Sequence, residues 1–235
     1  MKKNIQLLII DPQNDFCDLP SDWLPTDAVT GQITAPALPV AGAHADMLRL
    51  AKLIQEGASG ISAIGVTLDS HHRFDIAHPT FWKTGAGAAV GPFTNVHPAV
   101  KAAYNSWEDS RLAVVQKINK GSNPWTEHYS AMQAEVPDEE DPATQLNTAL
   151  IASLDQADLL IIAGEASSHC VKATTEHIVE NLPSGKTGKV VLLTDCMSPV
   201  GGFEAQHQAF LDDMASRGVV LSASVAMLGT LQTNA

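Results

Sequence analysis

The feature that most narrows the folds open to this chain is a set of short apolar runs separated by longer amphipathic segments. The runs occupy residues 7–10, 61–66, 112–115, 159–163 and 190–193. Each is too short for a stable helix and rich in Val, Ile or Leu, and a polar or Gly-containing turn follows within a few residues. That is how a strand buried on both faces reads. Between them lie segments with helical spacing: 45–54, closed by Gly57; 143–154; 171–182; and 203–217, closed by Gly218. Alternation of buried strand and amphipathic helix predicts right-handed βαβ crossovers and a mostly parallel sheet, with residues 219–222 as a last strand. Residues 18–42 and 78–98, punctuated by Pro and Gly, are predicted loops. The acidic run 136–142 is predicted to be a solvated face.

Apolar residues make up 45% of the chain and charged ones 17%, enough for one sizeable core, so a single α/β domain over 1–235 is expected. Asp and Glu outnumber Lys and Arg by 26 to 14, for a formal charge of −12, and no basic run interrupts the bias. Nucleic acid and anionic membrane surfaces are therefore excluded as partners. Asp11 ends the first apolar run too early for an export signal, and no apolar stretch approaches the roughly 18 residues that span a bilayer. Three cysteines are too few, and odd in number, for a disulfide framework. A reducing, cytoplasmic setting is expected.

In open parallel sheets ligands bind beyond the carboxyl ends of the strands. The residues there are Asp11-Pro12-Gln13-Asn14-Asp15-Phe16, Asp69-Ser70-His71-His72, Asn119-Lys120-Gly121 and Gly164-Glu165-Ala166-Ser167-Ser168-His169-Cys170. Successive strands thus deliver a carboxylate, a carboxylate with imidazoles, an amine and a thiol to one rim. Cys170, where the fourth loop turns into a helix, is the candidate nucleophile, because a helix amino terminus favours the thiolate. Asp11 is placed to take the thiol proton and return it to a leaving amine, and Lys120 adds positive charge. The backbone amides of Ala166 and Cys170 are candidates for an oxyanion hole. Taken singly, each has a plainer reading: a buried hydrophobe for Cys170, a solvated charge for Lys120, a turn cap for Asp11. Cys17 and Cys196 are assigned to structure, since neither opens a helix after a strand.

The segment Asp11 to Phe16, the Lys120-Gly121 step followed by Tyr129-Ser130-Ala131, and Gly164 to Val171 resemble the three signature segments of the isochorismatase-like cysteine hydrolases, a group that includes nicotinamidases. The resemblance implies a three-layer αβα fold with a six-stranded sheet in order 3-2-1-4-5-6. It also implies an Asp11–Lys120–Cys170 triad, an acyl-enzyme on Cys170, a cis Glu165-Ala166 peptide and a homo-oligomer. The presence of a cysteine disfavours vinyl ether hydrolysis of the isochorismatase kind.

Asp69, His71 and His78 form a D-x-H-x6-H cluster, and one carboxylate with two imidazoles is ordinary coordination for Zn²⁺, Fe²⁺ or Mn²⁺. The cluster is similar to the metal site of nicotinamidases, where the metal anchors the pyridine nitrogen. This implies a divalent metal, no organic cofactor, and a nitrogen-heterocycle carboxamide as substrate. Ser70 stands where nicotinamidases commonly carry an aromatic, His78 comes one position late, His72 competes as a ligand, and His97 is the candidate for a further one. Phe16, Phe81 and Trp82 are candidates for an apolar lining around a flat ring. The expected activity is hydrolysis of nicotinamide or a similar small amide. A metal-free carbamoyl or ureido amidohydrolase and a non-catalytic small-molecule binder are the alternatives.

Overall fold

The computed structural model describes residues 2–24, 26, 31–33, 35–70 and 96–235. Its strands are β1 (Ile5–Ile10), β2 (Ala63–Asp69), β3 (Gln116–Lys120), β4 (Leu159–Gly164), β5 (Val190–Leu193) and β6 (Val220–Ser222). They form one sheet in the order β3-β2-β1-β4-β5-β6, with every neighbouring pair parallel. The helices are α1 (Ala43–Gly57), α2 (Pro98–Arg111), α3 (Thr148–Leu154), α4 (Cys170–Asn181), α5 (Glu204–Ser216) and α6 (Ser224–Thr233). Successive strand side chains point to opposite faces. Leu7, Ile9, Ile161, Ala163, Val191 and Leu193 therefore pack against Met47 and Leu50 of α1, Tyr104 and Trp107 of α2, and Leu231 of α6. Leu8, Ile10, Leu160, Ile162, Val190 and Leu192 pack on the other face, against Ile151 of α3, Ile178 of α4 and Phe210 of α5. Because both faces are covered, the central strands read as unbroken apolar runs. The result is the expected three-layer αβα sandwich.

Two sequence expectations fail at the sheet edge and its flank. The apolar run 112–115 is not the third strand: Leu112 caps the end of α2 in a left-handed conformation (φ 48°), and Leu112 and Val114 are 95% and 83% exposed. The strand is the polar segment that follows, Gln116-Lys117-Ile118-Asn119-Lys120. An edge strand is held by one neighbour and needs little apolar surface. Helix α2 lies in a stretch that carries no predicted element, although its buried Val100, Ala103, Tyr104 and Trp107 fall at helical spacing and Pro98 begins its first turn. Helix α6 is likewise an addition.

The helix expected over 143–154 begins only at Thr148. Asp141 accepts a hydrogen bond from Ala143 N to form a separate short turn, and Asn147 caps α3 through Leu150 N. The acidic run before it is also more than a solvated face. Asn123 Nδ2 donates to Asp138 Oδ2 at 3.3 Å and to Asp141 Oδ2 at 3.0 Å, pinning both carboxylates. Among the described residues, no helix is long and apolar enough to cross a membrane.

Candidate active site

The carboxyl ends of β1, β2 and β3 and the start of α4 bring Asp11, Asp69, Lys120 and Cys170 together. Asp11 follows β1 at φ 42° and is fully buried. Thr67, inside β2, holds it twice: Asp11 N donates to Thr67 Oγ1 at 2.9 Å, and Thr67 Oγ1 donates to Asp11 Oδ1 at 2.5 Å. Lys120 is the last residue of β3, in register with Asp69 at the end of β2. Its Nζ lies 3.0 Å from Asp11 Oδ2, 3.1 Å from Asp69 Oδ1 and 3.6 Å from Cys170 Sγ, and it donates to His128 O at 2.7 Å. Glu127, to which the sequence gives no task, accepts from His128 N at 2.8 Å and so steadies that carbonyl.

Burial dominates the electrostatics. It pushes the Cys170 thiol well above its ordinary range; Lys120 opposes the shift, while Asp11 and Asp69 add to it, and Asp11 is hydrogen-bonded to the sulfur. Desolvation therefore opposes the thiolate that a helix terminus favours. Burial likewise raises Asp11, against the pull of Lys120 and Thr67. For Lys120 burial acts to lower the pKa, but Asp11, Cys170 and Asp69 outweigh it and hold the ammonium charged.

The turn from β4 into α4 supplies the remaining elements. Gly164 sits at φ 125°, where a Cβ would fall 1.9 Å from Ile10 O, so only glycine lets β4 end this close to β1. The Glu165-Ala166 peptide is cis, as the resemblance implies. Neighbouring amides in the turn are spoken for: Glu165 N donates to Ile10 O, Ser167 N to Ser198 O and His169 N to Ala166 O. Ala166 N, Ser168 N and Cys170 N have no acceptor among the described residues.

Of the proposed lining, Phe16 is described and half-buried; Phe81 and Trp82 lie outside the described residues. His169 flanks the site in the sequence, but its aromatic neighbours Tyr129 and Phe203 have no task there. His169 meets Tyr129 and Phe203 edge-on, with centroids 5.5 and 4.7 Å apart, at a cavity of about 380 Å³ that Lys172 and Gln206 also line. Tyr129 is close enough to Cys170 for the sulfur's charge to raise its hydroxyl pKa, after burial and Glu127. Its only signal was its place in the Tyr129-Ser130-Ala131 segment.

Of the proposed metal ligands, Asp69 is described; His71 and His78, and the competing His72, lie outside the described residues. The backbone of Asp69 is gripped by Gln13, whose Nε2 donates to Asp69 O at 3.0 Å and whose Oε1 accepts from Asp69 N at 2.7 Å. A carboxylate with two imidazoles would be a donor set suited to zinc, iron or manganese. His97 is not offered to this site: its Nδ1 accepts from Ala99 N and its Nε2 lies 3.0 Å from His44 Nδ1, so both ring nitrogens are engaged. The described residues alone hold no cluster of three metal-ligating side chains. Cys17 and Cys196 are buried, with thiols raised by burial, and Cys17 Sγ donates to Gln13 O at 3.3 Å.

No protein-family model matches the chain, and no curated protein matches it in sequence. Solved structures do match in fold. PnC1 from L. infantum, in complex with nicotinate, superposes with TM-score 0.65 at 21% identity, covering 96% of each chain. The yeast nicotinamidase Pnc1p superposes with TM-score 0.62 at 18% identity, over 92% of this chain and 98% of that one. The pyrazinamidase of Pyrococcus horikoshii, in complex with zinc, gives TM-score 0.59 at 18% identity, over 94% and 99%. An isochorismatase family protein from Desulfovibrio vulgaris gives 0.60 at 19%, over 98% and 99%. At these identities the likeness is one of architecture: the chain has the isochorismatase-like fold.

Proposed function

We propose that this chain is a cysteine amidohydrolase that converts nicotinamide, or a related heteroaromatic carboxamide, to its acid and ammonia. The observation that carries the reading is one buried ammonium, Lys120, lying 3.0 Å from Asp11, 3.1 Å from Asp69 and 3.6 Å from Cys170. The names of the structural neighbours, nicotinamidase and pyrazinamidase, and the nicotinate held by one of them, point to the same substrate class.

The Cys170 S–H transfers its proton to Asp11 as sulfur bonds to the amide carbon, and the carbonyl electron pair moves to oxygen. Ala166 N and Cys170 N receive that oxyanion. The C–N bond then breaks, Asp11 returns the proton to nitrogen, and ammonia leaves a thioester on Cys170. Asp11 next takes a proton from water as the hydroxide adds to the thioester carbon. Collapse releases the acid, and the proton returns to sulfur. Lys120 stays charged throughout and compensates whichever of Asp11 and Cys170 is anionic. Asp69, His71 and His78 would hold a divalent cation, which anchors a ring nitrogen when bound. Tyr129, His169 and Phe203 would supply flat surface for a ring.

The test is ammonia release across nicotinamide, pyrazinamide, carbamoyl and ureido compounds, with and without chelator. Cys170→Ala abolishes release and keeps the fold; retained release ends the proposal. A second reading, the metal-free carbamoyl or ureido amidohydrolase, draws on Asp69 Oδ1 being engaged by Lys120. Stoichiometric zinc, iron or manganese in the purified protein, lost on Asp69→Ala, rules it out.

A further inference from the structure

We propose that Glu165 is a neutral acid that shares its proton with Asp46, and that this buried pair positions the turn carrying Ala166 N and Cys170 N. Only its effect on turnover rests on the amidohydrolase reading. Glu165 lies in the cis peptide itself and is fully buried. Its Oε2 accepts from Ser198 N at 3.0 Å, Ser198 Oγ donates to Asp46 Oδ2 at 2.6 Å, and Ser198 O accepts from Ser167 N at 2.9 Å. The turn is thereby clamped to α1 through one serine.

Ser198 thus engages both the Glu165 and the Asp46 carboxyl, and both are buried. Two buried carboxyls held this close favour one proton between them. The charged and titratable groups facing the pair decide which keeps it. These are Arg49 on α1, Asp18 and Cys17 before α1, Asp195 and Cys196 after β5, and His207 of α5. Arg49 is the permanent cation among them, and its Nη2 contacts Asp46 Oδ1 while its Nε donates to Asp195 O. That cation pairs with Asp46, and the proton is assigned to Glu165. Glu165 Oε1, which has no partner as an acceptor among the described residues, becomes the O–H that donates to Asp46. Burial and the Asp46 charge hold the Glu165 carboxyl well above the usual range, with Ser198 N opposing. The side chain never meets the substrate; it acts through the adjoining amide of Ala166.

The experiment compares the full chain with E165Q, E165A and D46N. Infrared difference spectra at neutral pH are expected to show a carboxylic-acid C=O band in the wild type that E165Q lacks and D46N shifts, because the acceptor changes from carboxylate to amide. The Gln amide reproduces both the donor and the acceptor of a protonated Glu, so E165Q retains kcat within about 3-fold. E165A loses about 10- to 100-fold in kcat with KM little changed, as expected for misplaced oxyanion donors. If E165A fails to fold, the infrared band and the E165Q rate still decide. Absence of an acid band in the wild type, an unshifted band in D46N, or E165Q as impaired as E165A overturns the proposal. If no amide is turned over, the amidohydrolase reading fails separately, and the acid band still tests the shared proton.

Discussion

At the scale of single residues, the site is a problem in burying charge. Asp11, Asp69 and Lys120 leave water together, and such a group is tolerable only while each member keeps its partners. Lys120→Met removes the buried ammonium that pairs with both carboxylates. It is expected to cost about 3–5 kcal/mol of stability, read as a lowered urea midpoint, and to abolish ammonia release. Thr67 has a subtler part, because one hydroxyl both accepts from Asp11 N and donates to Asp11 Oδ1. Thr67→Val keeps the shape and strips both bonds from a fully buried aspartate. The expected loss is about 1–3 kcal/mol for each group left unpaired, with kcat falling because the proton acceptor is no longer held. A variant with unchanged stability and rate would show that the Thr67 contacts do not matter.

At the scale of elements, α2 is tied to its surroundings by an unusual cap. His97 accepts from Ala99 N through Nδ1, so its Nε2 carries the proton and donates to His44 Nδ1, while Trp23 stacks on its ring at 5.2 Å between centroids. Burial, then His44, lowers its pKa from 6.5 to about 4. Protonating His97 would remove the cap acceptor and place a cation on a buried ring. The folded pKa lies below the unfolded one, so the unfolded chain binds more protons between pH 6.5 and 4. Stability is full above 6.5 and falls as the pH drops through that window, by roughly 3 kcal/mol in all. His97→Asn keeps a cap acceptor without the titration. Its unfolding free energy should therefore vary less with pH between 6.5 and 4 than that of the wild type, as measured by urea titration at several pH values. Equal slopes would remove His97 from the account.

At the scale of the whole molecule, the three cysteines report on cooperativity. Cys17 and Cys196 are fully buried in the core shared by the sheet with α1, α2 and α6, while Cys170 keeps 8% exposure at the rim beside Lys120. Iodoacetamide is expected to label Cys170 alone in the native protein. The other two should react only across the denaturant range where the far-UV circular dichroism is lost, as a two-state unfolding requires. Mass spectrometry of the labelled peptides checks this, and early labelling of Cys17 would mean that the loop containing it opens on its own.

Much of this protein was legible as a string of residues. Central strands must hide both faces, so β1, β2, β4 and β5 announce themselves as apolar runs. Polar residues just beyond strand ends are free to serve chemistry, which is why Asp11, Lys120 and Cys170 stood out before any coordinates. Local pattern failed where a neighbour rather than composition settles the outcome: β3 is a polar strand held by β2, and Leu112 is an exposed helix cap despite its apolar side chain. Proton positions were out of reach as well. A thiol's pKa, the twofold grip of Thr67 on Asp11 and the meeting of Glu165 with Asp46 depend on desolvation and on groups dozens of residues away. Those quantities come into being only when the chain packs, because burial and distance are properties of the fold and not of the order of its residues.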